Sequence, residues 1–195
     1  MLPPRMAHDW PTTITALRER LSATYQPLIE LARSGAPWLA ARPEPAGWTG
    51  AEVLEHVALT DHFLLRLVQK IGDKAAMRAE RGNAWPTDPP EFDHLEAIAA
   101  REHSWPHPEH MTPTGELDLA EIARRLGADL AFAHAWLDRQ PSGEGTLHRI
   151  RMSVVGDAGA EDDRLHLYHF LAVIELHARR HGAQLARLRN AAEQK

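Results

Sequence analysis

The 195-residue chain contains no cysteine. This excludes disulfides, zinc-thiolate sites and any cysteine nucleophile supplied by the chain itself, so metal chemistry here would have to run on histidines and carboxylates. No apolar run approaches the ~20 residues that cross a bilayer, and the opening stretch MLPPRMAHDW lacks the apolar centre of a signal peptide. A cytoplasmic protein with no membrane partner is expected. There is no long block of lysine or arginine, and the net charge is −5 with histidine neutral, which disfavours binding to a nucleic-acid phosphate backbone. What remains is ordinary for one globular domain over residues 1–195, with 44% apolar and 25% charged residues, together with 13 histidines.

Four long stretches carry a helical period. The first spans Thr12 to Arg33, with Ile14, Leu17, Leu21, Tyr25, Leu28 and Leu31 on its buried face, a cap at Thr12 or Thr13 and a stop at Ser34-Gly35. Pro27 falls inside it, removing one backbone hydrogen bond and favouring a kink near Ala23 to Gln26. After a proline-rich loop from Ala36 to Gly47, the second begins at Trp48 with Thr49 and Glu52 spaced as a capping box. Its stripe is Val53, Val57, Thr60, Phe63, Leu64, Leu67 and Ile71, with His56 among them.

From Gly72 to Glu116 the period is lost, apart from a possible short helix at Asp93 to Arg101. His94, His103, His107 and His110 lie in this Pro/His-rich connection; His103, His107 and His110 have HxxxHxxH metal-site spacing, but Pro106 and Pro108 prevent the regular helix that would align the first two rings, so these histidines are expected to decorate a loop near a site mouth. The third helix runs from Leu119 to Arg139 behind Asp118 and Glu121, burying Leu119, Ile122, Leu126, Leu130, Ala133 and Leu137. His134 near that face is expected to be a satisfied core or interface histidine. TLHRIRMSVVG alternates too irregularly for more than a short hairpin. Asp162 or Asp163 is the expected cap of the last helix, whose stripe is Leu167, Phe170, Leu171, Ile174, Ala178, Leu185 and Leu188. The simplest way to bury four such faces is an all-α four-helix bundle with a long insertion between its second and third helices.

Two histidines interrupt the last stripe. His177 and His181 are four residues apart on one helical face, so their imidazoles can close on a common point. An HxxxH pair is common by chance in a histidine-rich chain, and two ligands do not make a site. His56 on the second helix is the third candidate, whereas His62 lies about 240° further round that helix and stays outside or on the rim. One His from the second helix and a pair from the fourth would give three nitrogen ligands with one or more coordination positions open. Gln184 puts an amide where the stripe calls for leucine, and Glu52 and Thr60 flank His56 at four residues on either side. All three are candidates for supporting the ligands, although Glu52 is at least as well explained as the partner of Thr49 in the capping box.

WTGAEVLEHV followed far downstream by LHARRHGAQLARL resembles the DinB/YfiT-like superfamily, whose members show a Trp-Ser/Thr-x-x-Glu helix start, a His on that helix, and HxxxH followed by Gln near the C-terminus. The resemblance implies an up-down-down-up four-helix bundle, frequent homodimerisation, and a divalent metal held by residues corresponding to His56, His177 and His181. It also implies an enzyme acting on a small-molecule substrate, either a low-molecular-weight-thiol-dependent S-transferase or isomerase, or a hydrolase. Segment 84–113 has no counterpart in the family core. Zinc or nickel is expected first, and three histidines are also compatible with iron, cobalt or manganese. The alternative is a non-enzymatic dimeric stress-response or ligand-binding bundle with a structural or vacant site.

Overall fold

The Asp9 side chain accepts from the Thr12 amide at 2.8 Å and Pro11 sits in the first turn, where its missing N–H costs nothing. Helix α1 (Trp10–Ser34) therefore starts before the Thr12 or Thr13 cap that its apolar spacing suggests. It continues through Pro27 and ends at Gly35. The computed structural model describes residues 9–43, 47–89, 92, 94–96, 108–152 and 164–194. Among these it is mostly helical, with four long helices and one two-stranded ribbon.

Helix α2 (Gly50–Glu80) opens on the expected capping box: the Glu52 amide donates to Thr49 Oγ1 at 3.1 Å and the Thr49 amide to Glu52 Oε2 at 2.7 Å. It does not stop where its apolar stripe ends. A Cβ at Gly72 would lie 2.2 Å from Cζ3 of Trp136, so the bare glycine admits the indole of helix α3 (Leu119–Arg139), and this packing carries α2 onward. The buried face of α2 is also wider than its stripe suggests. Leu54, Glu55, Ala58, Asp61, Leu65 and Val68 are buried, while Leu67 is half-buried and Phe63 is 36% exposed with His110 against its ring. Helix α3 follows its pattern, with Asp118 accepting from the Glu121 amide at 2.7 Å.

Strand β1 (Arg149–Arg151) pairs antiparallel with β2 (Arg164–His166), placing Ile150 opposite Leu165, so the irregular stretch supplies one side of a short ribbon. Helix α4 (Leu167–Glu193) follows at once, capped by His166, which accepts from the His169 amide. The strand occupies the chain up to the helix, so the cap is not an aspartate; Asp162 and Asp163 lie outside the described residues. Of the second connection, 94–96 form a tight turn and Glu109–Met111 another, while His103, His107 and most of Asp93 to Arg101 lie outside the described residues.

Helices α1 and α2 each pack along both α3 and α4, with few contacts joining α1 directly to α2. Buried Glu175 accepts from Thr24 at 2.9 Å and Arg20 at 2.6 Å, fixing the rotation of α4 against α1. Tyr168 donates to the Gln140 carbonyl at 2.6 Å, and Gln140 donates to the Gly72 carbonyl at 2.7 Å, tying α4, α3 and α2 together. With these braces set, the face of α4 two and six residues beyond Glu175 is turned toward α2. Among the described residues no helix is long and apolar enough to cross a membrane.

Candidate metal centre

The structure brings together His56 of α2 with His177 and His181 of α4, the three residues singled out in the sequence. Each offers a ring nitrogen, and these lie within 4.8 Å of one another. His56 is buried, His177 is partly exposed, and the His181 ring is buried although its residue as a whole is only half-buried. The rings meet edge to face, with centroids 5.3 Å apart for His56 and His177, 4.9 Å for His56 and His181, and 4.6 Å for His177 and His181. The Nε2 atoms of His56 and His177 are 3.4 Å apart. Trp48 covers His56, with ring centroids 4.9 Å apart.

The opposite nitrogen of each ring faces an acceptor. His56 Nδ1 is 2.7 Å from the Met111 carbonyl, His177 Nδ1 is 3.3 Å from Asp61 Oδ1, and His181 Nδ1 is 2.9 Å from Gln184 Oε1. With a proton on each Nδ1, all three Nε2 lone pairs are available, and their donors face inward from two helices. His181 is held to the neutral form, its pKa pushed down to about 2 by burial and then by the neighbouring His177 and His56. The donor set and its outward bonds fit a divalent cation.

Of the three supporting candidates, Gln184 meets a ring of the cluster directly. Glu52 does not: it closes the capping box and pairs with Arg42 at 2.6 Å, and its pKa is lowered chiefly by the Thr49 amide. Its position four residues before His56 belongs to the start of the helix, where the backbone donors claim it. Thr60 is buried, and its hydroxyl has no hydrogen-bond partner among the described residues.

Two further contributors lie outside the residues that the sequence pattern picks out. Asp61 is fully buried, accepts from Tyr25 Oη as well as from His177, and has its pKa raised well above the ordinary carboxyl value by burial, against the opposing Tyr25 hydrogen bond. Met111 acts through its backbone carbonyl, which no side-chain pattern can announce. For Asp61 the sequence signal is an acidic side chain directly after the stripe position Thr60.

The other histidines stand apart. His62 is exposed, and His134 lies 3.3 Å from Ser22 on the α1 side of α3. His166 and His169 stack on each other with centroids 3.6 Å apart and planes 24° from parallel. His94 meets the edge of His169.

Compared with protein-family models, curated proteins and solved structures, the chain matches none.

Proposed function

We propose that this protein is a divalent-metal enzyme of the DinB/YfiT-like kind, with His56, His177 and His181 holding zinc or nickel and the remaining coordination positions facing a small-molecule substrate. In this reading the four helices form an up-down-down-up bundle, two copies make a homodimer, and the reaction is an S-transfer or isomerisation using a low-molecular-weight thiol, or a hydrolysis. The observation that carries the proposal is the pairing of three convergent ring nitrogens with three outward acceptors, Met111 O, Asp61 Oδ1 and Gln184 Oε1. Such bonds fix tautomer and ring orientation in metal-binding histidines.

A divalent metal supplies Lewis acidity and lowers the pKa of a coordinated water or thiol. The chain supplies the rest. His181 presents a neutral lone pair throughout the physiological range. Trp48 packs at a tilt against the ring of buried His56. The Tyr25-Asp61 pair anchors His177 from the helical interior. Because there is no cysteine, a thiolate nucleophile must arrive with a cosubstrate.

The test is elemental analysis of protein purified without a polyhistidine tag, then titration of metal-free protein with zinc and with nickel. One metal per chain is expected, lost on replacing any of the three histidines with alanine. A wild-type chain that takes up neither metal at micromolar concentration defeats the proposal. An activity panel of thiols paired with electrophiles, and of hydrolysable esters and amides, then separates transfer from hydrolysis.

A further inference from the structure

Glu55 and His56 are consecutive on α2, and both reach the same short segment. Glu55 is 2% exposed. Its Oε1 accepts from the Thr114 amide at 3.2 Å and the Thr114 hydroxyl at 3.0 Å, and its Oε2 accepts from the Gly115 amide at 2.8 Å. Three residues before Thr114, the carbonyl of buried Met111 faces His56 Nδ1 at 2.7 Å. The chain leading into this segment is wound tightly, with the Met111 amide on Pro108 O and the Thr112 amide on Glu109 O, each at 2.9 Å. Gly115 closes it at φ 75, a left-handed conformation that other residues adopt only under strain.

We propose that metal binding at His56 and docking of the Met111–Gly115 segment are coupled, with Glu55 as the positioning residue that joins them. The proposal rests on the three-histidine metal reading above. A neutral imidazole carries one N–H. When a metal takes Nε2, the proton must stand on Nδ1, where it donates to Met111 O. Without a metal the ring has a second tautomer that puts the proton on Nε2, beside His177, and leaves the buried Met111 carbonyl without a donor from His56. The metal therefore selects the tautomer that holds the segment. By linkage, a segment already held by Glu55 favours the metal by the same factor. Glu55 touches no ligand nitrogen and acts only by placing the carbonyl.

The experiment uses the full chain with Co²⁺ or Zn²⁺ alone as probe. Cobalt affinity is read from its absorption bands, and the order of the segment from amide hydrogen exchange at Thr114 and Gly115. In the wild type, metal should slow exchange at these two amides. Glu55→Gln should weaken cobalt binding about tenfold, the scale of losses around metal ligands, and remove the metal-dependent protection. Gly115→Ala leaves every histidine and Glu55 in place and adds only backbone strain, since a Cβ there has open space; it should weaken cobalt binding several-fold. It also decides the matter if Glu55→Gln fails to fold. The coupling is overturned if the wild type binds cobalt with no change in exchange at Thr114 and Gly115, or if both folded variants bind as tightly as the wild type. A wild type that binds neither metal overturns the metal reading itself, and the cobalt spectrum separates that result from the other two.

Discussion

Replacing Gln184 with leucine isolates one hydrogen bond at the centre. His181 Nδ1 donates to Gln184 Oε1 at 2.9 Å across less than one turn of α4. Leucine has nearly the same size and at least equal helix propensity, and it suits a stripe that already holds Leu185 and Leu188, so the helix should persist. The imidazole loses the acceptor that fixes its tautomer. A largely desolvated N–H without a partner costs about 1–3 kcal/mol, and the ring is also freed to carry its proton on Nε2, where it blocks the metal. Losses of this kind weaken metal binding ~10- to 100-fold, or about 1.4–2.8 kcal/mol. Competition of metal-loaded protein against a chromogenic chelator measures the affinity, and melting of metal-free protein checks the fold. Gln184→Glu keeps an acceptor and should bind metal at least as tightly as the wild type. Unchanged affinity in a normally folded Gln184→Leu protein would reduce Gln184 to a packing residue.

Burial, reinforced by Asp61, raises the pKa of Asp129 to about 7, so its neutral form suits the fold. A raised value contributes stability below the ordinary carboxyl range that is lost as pH climbs from about 4 through 7; Asp129→Asn should flatten that slope, and parallel melting curves for the two proteins between pH 4 and 8 would contradict it. Gly72→Ala drives a methyl into the Trp136 indole, and overpacking of about 1–3 kcal/mol should outweigh the gain in helix propensity and lower Tm by several degrees in a thermal melt. Light scattering across micromolar concentrations should return the mass of a dimer, and a monomer throughout would remove the homodimer from the proposal.

The helices were legible where local chemistry agreed with packing. Thr49 with Glu52 and Asp118 with Glu121 mark real helix starts, because the donors they satisfy lie within the same turn. The end of α2 was not legible. Gly72 reads as a breaker in isolation, and the residues after it bury only Ala75, so no apolar period announces that the helix continues. What carries it on is an indole from α3, 64 positions away in the chain. The start of α1 was missed for the opposite reason: Asp9 and Pro11 are purely local signals, but they precede the first stripe residue that periodicity detects.

The centre divides along the same line. Its three histidines could be found because each breaks an apolar stripe, and a polar group on such a face has to be explained by a partner. Gln184 stood out for that reason and meets His181. Asp61 lies beside the stripe of Val57, Thr60 and Leu64 and not on it, and α2 is enclosed widely enough to bury it there. Its partners Tyr25 and His177 sit on α1 and α4, so only the packing of three helices gives that carboxyl a purpose. Glu55 is a stronger case, since its hydrogen bonds run to amides and a hydroxyl of the long connection and its link to His56 passes through a backbone carbonyl. Side-chain spacing carries information about which groups share a face. It carries none about which carbonyl a distant loop will bring to that face, and there the orientation of His56 is decided.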